Sequence, residues 1–238
     1  MTVPMNRTAI VLLASGLSRR YGWRDKLLEE LHGKHLMEHA AGVIAHTDAL
    51  ARVAVCPSDR KEIGERLINR FVVAVNKKSK SGLGHSIAVG VDVALKFKPD
   101  AIIFCMADMP FIEEWMLHGL LEHLGGSRGA DIVHSGDTSG VSPPTAFSPA
   151  CFDALAKLDG DDGARRVIGQ GGFNVMGISV PAPLLADVDT KEDLDLAERQ
   201  MEIRDRHEPP APEPAESPDM SVIDLAQHEM PRVANRRR

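Results

Sequence analysis

Aromatic side chains are scarce: two Trp, one Tyr and seven Phe make up 4% of the 238 residues. A core must therefore be assembled from Val, Ile, Leu, Ala and Met, and the 43% hydrophobic and 26% charged fractions are those of an ordinary globular domain. Cysteine is equally sparse. Cys56, Cys105 and Cys151 are scattered, odd in number and without a CxxC pair, so neither a zinc site nor a disulfide framework is indicated. No apolar run approaches the ~20 residues that a bilayer span requires. Residues 1–8 are short and polar, without the apolar core of a secretory signal, and the cytoplasm is the expected compartment. An excess of positive charge is also missing. The formal net charge of −6 argues against a general nucleic-acid binder but leaves room for a locally positive nucleotide cleft.

What is present is an alternation of apolar runs with helix-like patterns. Residues 9–14 are continuously apolar, as a strand buried on both faces should be, and residues 53–56, 71–75 and 101–106 repeat the pattern. Shorter strand candidates lie at 130–134 and 175–180. Helical periodicity falls at 36–45, 60–69, 86–97, 112–124, 149–158 and 191–206. This βαβα order predicts a three-layer αβα domain with a mostly parallel, Rossmann-like sheet. The domain is expected to occupy residues 1–206. Six of the 15 prolines fall between Glu208 and Pro231, so residues 207–238 are expected to form a Pro-rich, disordered or polyproline-like tail. Within it, residues 221–229 could form one short amphipathic helix. A solvated appendage and a partner-docking peptide are both compatible with that composition.

Ligands of open parallel sheets bind at the carboxyl ends of the strands. Four segments there carry candidate chemistry. The first strand runs into Leu13-Ala14-Ser15-Gly16, then Ser18, Arg20 and Asp25-Lys26. Small residues let backbone N–H groups approach phosphate oxygens, and Arg20 and Lys26 offer positive charge. The pattern is neither GxGxxG nor GxxxxGK[ST]. A solvated loop would have a similar composition. Asp108 follows the apolar run 101–106, where a carboxylate is costly to desolvate unless a cation meets it. Mg²⁺, which takes one or two carboxylates plus water and phosphate oxygens, fits that need. The alternative is a cap for the helix that follows. Asn76 and the turn Gly82-Leu83-Gly84-His85-Ser86 could contact phosphate or ribose, or Ser86 could simply cap a helix. Asp189 could be a second carboxylate facing a metal, or it or Thr190 could cap the last helix.

Other residues favour simpler readings. His35 and His39 stand one helical turn apart, with His32 nearby, but no cysteine supplies a third soft ligand. Solvated or locally hydrogen-bonded histidines are expected. Cys105 has no histidine close in sequence to activate it and reads as a small buried residue.

Taken in order, these segments resemble the MobA-like NTP transferase family and, within it, its molybdenum cofactor cytidylyltransferase branch. The opening motif of that family, Leu-Ala-Ala-Gly-x-Ser-x-Arg, stands here at residues 13–20, followed by Gly22 and Asp25-Lys26. Its Gly-Lys-Pro stands as Gly33-Lys34-His35, its Gly-x-Gly-x-Ser as Gly82, Gly84 and Ser86, and its Gly-Asp-Met-Pro as Ala107-Asp108-Met109-Pro110. Residues 160–165 resemble Gly-Asp-x-Gly-Ala-Arg, and Asp187-Val188-Asp189-Thr190 resembles Asp-Ile-Asp-Thr. The resemblance spans roughly residues 8–200 and implies an enzyme that moves an NMP from an NTP, CTP above all, to molybdopterin and releases pyrophosphate. Leu13, Ala14, Ser15 and Gly16 would hold the nucleotide, with Asn76, Gly82, Gly84 and Ser86 nearby. Arg20 and Lys26 would bind phosphates, and Asp108 with Asp189 would hold Mg²⁺. A molybdoenzyme or its chaperone would be a further partner. The sequence departs from the family pattern at Ser15, Ala107 and His35, and has Gly140-Val141-Ser142-Pro143-Pro144 where the branch has Gly-His-Pro. The acceptor therefore stays open between molybdopterin and a sugar or polyol phosphate. A nucleotide-binding accessory protein without turnover is the reading from a different class.

Overall fold

Strand β1 (Thr8–Leu13) is buried along its whole length, and its alternate side chains feed two separate cores. Ile10 and Leu12 join one hydrophobic cluster. Ala9, Val11 and Leu13 join the other. A strand that is apolar at every position needs cover on both faces, and this requirement generates the three layers. The computed structural model describes residues 2–16, 21, 25–125, 129–136, 140–161 and 163–207. The expectations placed on Ser18, Arg20, Gly22 and residues 208–238 lie outside them.

After β1 come a small antiparallel hairpin, β2 (Glu30–Leu31) and β3 (Lys34–His35), then α1 (Leu36–His46), β4 (Ala51–Pro57), α2 (Lys61–Leu67), β5 (Val72–Asn76), α3 (Leu83–Ala94) and β6 (Ala101–Met106). The second half holds α4 (Glu114–His123), β7 (Ile132–Ser135), β8 (Ser142–Phe147), α5 (Phe152–Ala156), α6 (Gly163–Gly169), β9 (Val175–Ile178) and α7 (Lys191–His207). Seven strands form the main sheet in the order β5-β4-β1-β6-β8-β7-β9. The sheet is parallel except around β8, which runs antiparallel to both β6 and β7. Leu36, Met37, Ala40 and Ile44 of α1 pack with Met116, Leu117 and Leu120 of α4 on one face. Ile87 and Val91 of α3, Phe152 and Leu155 of α5, and Val167 of α6 cover the other.

Three departures from the sequence expectations have physical causes. β8 was not expected, because Pro143 and Pro144 cannot donate to a ladder. The two prolines fall where the β7–β8 register shifts, and the regular pairing with β6 uses only Thr145, Ala146 and Phe147. Residues 71–75 look doubly buried in sequence, yet Val72 and Val75 are exposed because β5 is the edge of the sheet. Helix α3 begins at Leu83 with Gly82 as its N-cap, so Ser86 lies inside the helix and does not cap it. No described helix is long and apolar enough to cross a membrane.

His35 and His39 are hydrogen-bonded locally, as expected, whereas His32 reaches the distant helix α7. His35 Nδ1 lies 2.6 Å from the Leu28 carbonyl and His39 Nε2 lies 2.9 Å from that of Leu31. Among the described residues no cluster of three or more His, Cys, Asp or Glu is arranged to hold a metal. His32 ties the hairpin to α7. Its backbone N–H donates to Glu198 Oε2 at 2.8 Å, Nδ1 lies 3.1 Å from Glu198 Oε1, and Nε2 lies 2.8 Å from Asp205 Oδ2. Both ring nitrogens can donate only when the imidazole is protonated. Hydrogen bonds to Asp205 and Glu198 outweigh desolvation and raise its pKa above the ordinary 6.5. A raised folded-state pKa means the clamp contributes fully below about pH 6.5 and is lost as pH rises through the raised value. An NMR titration should place the His32 midpoint above 6.5, with amide exchange in α7 quickening beyond that midpoint. His32→Gln should remove the pH dependence, and a midpoint at or below the ordinary value would contradict the clamp.

Candidate active site

Three elements deliver charged side chains to one place at the carboxyl ends of β1 and β6. A 3-10 turn at Lys26–Leu28 presents Lys26, and Asp25 caps that turn by accepting the Leu27 N–H at 3.1 Å. Asp108 follows β6 directly. It does not cap α4, whose N-cap is Glu113. Asp189 precedes α7. Thr190 and Asp193 cap that helix reciprocally: Thr190 N–H and Oγ1 both reach Asp193 Oδ2 at 2.8 Å, and Asp193 N–H donates back to Thr190 Oγ1 at 3.2 Å. Because Thr190 is the cap, the Asp189 side chain can face the sheet edge. Lys26 Nζ donates to Asp108 Oδ2 and to Asp189 Oδ1, each at 2.7 Å. The chain separations are 82 and 163 residues. The backbone adds a further tie, Val188 N–H donating to the Asp108 carbonyl at 3.0 Å.

The electrostatics follow from that geometry. Burial works against the Lys26 charge, but the carboxylates of Asp108 and Asp189 outweigh it and hold its pKa above the ordinary lysine value. Lys26 therefore stays an ammonium through the neutral range. Asp187 points the other way: partial desolvation, with the negative charges of Asp108 and Asp189, raises its pKa. The second oxygen of Asp108, Oδ1, is buried without a hydrogen-bond partner among the described residues. A buried carboxylate oxygen left over in this way is an acceptor suited to a hard cation. The donor set Asp108 and Asp189 thus fits a divalent ion, with Lys26 between them offsetting their repulsion.

Ser15, Asn76 and Ser86 form a second network at the carboxyl ends of β1 and β5. The Leu13 carbonyl accepts the Ala107 N–H at 3.2 Å and the Ala14 N–H donates to Val55 at 2.9 Å, which pins the start of the turn to β4 and β6. Ser15, Asn76 and Ser86 are all buried. Ser15 Oγ donates to Ser86 Oγ at 2.7 Å and Asn76 Nδ2 donates to the same oxygen at 3.0 Å, while Ser86 Oγ reaches the Gly82 carbonyl at 3.4 Å. The Asn76 Oδ1 accepts the Lys78 N–H at 2.8 Å. Ser15 and Asn76 therefore fix the turn from beneath.

The glycines of the next turn have a steric reason. Gly82 has φ +100, and a Cβ there would lie 2.4 Å from the Gly160 carbonyl; one on Gly84 would lie 3.0 Å from the Asp159 and Gly160 carbonyl oxygens. The Gly84 N–H donates to Gly160 at 2.8 Å. Two motifs far apart in sequence thus pack backbone to backbone. Their contact carries Asp161, Arg165 and Arg166 to the wall of a cleft of about 890 Å³ that also reaches Leu13, Asp108 and Asp187. Arg20 lies outside the described residues.

Sequence reasoning missed Arg60. It follows β4, at the same carboxyl edge of the sheet as the other site residues, and testing each strand end for charge would have found it. Its guanidinium donates to Asp25 Oδ2 at 2.6 Å and to the Gly16 carbonyl at 2.8 Å.

Comparison with known proteins gives the family and the fold. The profile of the MobA-like NTP transferase domain matches residues 10–175, so the chain belongs to that family and is a nucleotidyltransferase. It is similar to the purine catabolism protein PucB of Bacillus subtilis (strain 168), with 28% identity over 205 residues that span 80% of this chain and 96% of that protein. The fold is shared with Rv0371C of Mycobacterium tuberculosis H37Rv, solved in complex with manganese. Identity is 20%, with 81% of this chain and 97% of that one covered at a TM-score of 0.61. It is shared equally with molybdopterin-guanine dinucleotide biosynthesis protein A of Archaeoglobus fulgidus, with 19% identity, coverage of 82% and 99%, and a TM-score of 0.61.

Replacing Ser86 by Ala leaves the Ser15 hydroxyl and the Asn76 amide without their shared acceptor in a buried place. The expected cost is about 1–3 kcal/mol, the penalty for an unsatisfied buried group. Urea unfolding measures it, and a change under about 0.5 kcal/mol, the range of ordinary surface substitutions, would contradict a structural role for the network.

Proposed function

We propose that this chain transfers CMP from CTP to molybdopterin in the cytoplasm, with Mg²⁺, and releases pyrophosphate. The observation that carries the reading is the meeting of Lys26, Asp108 and Asp189 at 2.7 Å beside the cleft. An oxygen of the acceptor phosphate attacks the α-phosphorus of CTP and forms a phosphoanhydride. The bond from that phosphorus to the bridging oxygen of the β-phosphate breaks, and pyrophosphate leaves with the electron pair. Lys26 neutralises charge on the phosphates, and Arg20 is assigned the same task. The turn Leu13-Ala14-Ser15-Gly16 orients the nucleotide, held from beneath by Asn76 and Ser86 and flanked by Gly82 and Gly84. Asp108 and Asp189 would hold Mg²⁺, which when bound withdraws charge from the phosphate oxygens. Catalysis then rests on alignment and charge neutralisation, with no covalent enzyme intermediate. Residues 1–206 carry this chemistry.

The lining of the cleft bears on the acceptor. Leu13, Leu83, Phe104, Met106, Met109 and Pro143 offer apolar surface, while Arg165 and Arg166 supply cations at its wall. Apolar surface beside two cations suits a flat heterocycle that carries a phosphate. The Archaeoglobus neighbour, named for a molybdopterin dinucleotide, supports the same acceptor class.

The test is pyrophosphate release with CTP, GTP and UTP, each with and without molybdopterin. Release is expected with CTP and molybdopterin together, and to stop when the divalent ion is chelated. Lys26→Ala and Asp108→Asn should each lower kcat by about 100- to 1000-fold, the usual effect of removing a preorganised charge. Turnover with a sugar or polyol phosphate in place of molybdopterin would select the second acceptor. Silence with every pair, alongside nucleotide-dependent thermal stabilisation, would leave an accessory protein that binds without turnover.

A further inference from the structure

Arg60 belongs to none of the motifs that carry the family resemblance, yet it touches both ends of the phosphate-binding segment. The turn at Gly16 and the turn at Lys26 are joined in sequence by residues 17–24, and a third element joins them in space. Arg60 is the N-cap residue of α2 and rises from the end of β4. One terminal nitrogen donates to Asp25 Oδ2 at 2.6 Å, and the other donates to the Gly16 carbonyl at 2.8 Å. The other carboxylate oxygen of Asp25 accepts the Leu27 N–H at 3.1 Å and so caps the turn that presents Lys26. The Asp25 side chain is only 9% exposed and that of Arg60 is 22% exposed. The Asp25 arm of the fork is therefore held away from bulk water, where a charge-assisted hydrogen bond is strongest, while the Gly16 arm is exposed.

We propose that Arg60 is a positioning residue for nucleotidyl transfer: it sets the distance between the Gly16 turn and the Lys26 ammonium by bridging the two. The inference rests on the proposed function, since it takes these two turns to be the pair that grips the triphosphate. Two consequences follow from the bridge. The Asp25 carboxylate lies beside a site that must admit a polyanion, and the Arg60 cation paired with it offsets the resulting repulsion. The Lys26 turn is also coupled to the end of β4, in addition to its ties to Asp108 and Asp189. A lysine at position 60 would preserve the charge but present a single ammonium, without the fork that reaches two acceptors at once.

The experiment compares wild type, Arg60→Lys and Arg60→Ala in kcat and KM for CTP with Mg²⁺ and molybdopterin, with Tm measured in parallel. Both variants are expected to stay folded, with Tm within about 4 °C of wild type. Both should lose at least tenfold in kcat/KM, with part of the loss in kcat, and Arg60→Lys should recover only a fraction. A folded Arg60→Ala enzyme within twofold of wild type overturns the proposal. Full recovery in Arg60→Lys overturns the bridge in favour of a simple charge. If the wild-type chain itself turns over no nucleotide, the transferase reading fails instead. The bridge is then decided by Tm values of Arg60→Ala, Asp25→Asn and the double variant. Non-additive shifts sustain the bridge and additive shifts overturn it.

Discussion

The ammonium of Lys26 held between the carboxylates of Asp108 and Asp189 is the interaction on which the site depends. Each residue arrives from a different part of the fold: the turn after β1, the end of β6, and the approach to α7. Without the cation, two carboxylates would face each other in a place with little water to screen them. Without the carboxylates, a buried ammonium would shed its proton or its burial. The arrangement is stable because all three are present, and it is also unfinished. Among the described residues Asp108 Oδ1 is left without a hydrogen-bond partner, and in the proposed reaction the carboxylates would exchange the Lys26 ammonium for a metal ion while Lys26 turns to phosphate oxygens.

The rest of the molecule can be read as support for that meeting. The sheet places β1 and β6 side by side in parallel, with Leu13 opposite Met106, so the residues after both strands emerge at one edge. The α7 helix is anchored at its start by the Thr190–Asp193 cap and along its length by His32, and these fix where Asp189 lies. The buried hydroxyls and amide of Ser15, Ser86 and Asn76 hold the first turn against α3. The close approach of Gly82 and Gly84 to Gly160 brings the cationic end of α6 to the cleft. Rigid elements thus present short polar turns, a division of labour that lets a preorganised charge act without rearrangement.

Much of this was legible in the sequence because the signals were local. Continuous apolar runs of strand length mark β1, β4 and β6, and a carboxylate at the end of such a run marks Asp108. What remained hidden depended on tertiary placement. Val72 and Val75 look buried until β5 is known to be an edge. β8 is masked by two prolines whose missing donors are harmless only where the register shifts. For Asp189, the choice between capping and facing the site could not be made locally, because Thr190 beside it caps equally well. The Gly-x-Gly turn reads as a ligand cradle in sequence, whereas its tightest neighbour is the backbone of residues 159–160. Arg60 carries no motif at all. Its significance lies in two acceptors 35 and 44 residues away.

The central claim is that one triphosphate and one divalent ion occupy the space around Lys26 and Asp108. Crystals grown with Mn²⁺ and a non-hydrolysable CTP analogue test it directly, since manganese is located by its anomalous scattering. The account predicts a manganese peak within coordination distance of the Asp108 carboxylate, with the phosphates lying along Lys26 and the turn at Gly16. Manganese or triphosphate bound elsewhere, with the Lys26–Asp108 pair undisturbed, would contradict it.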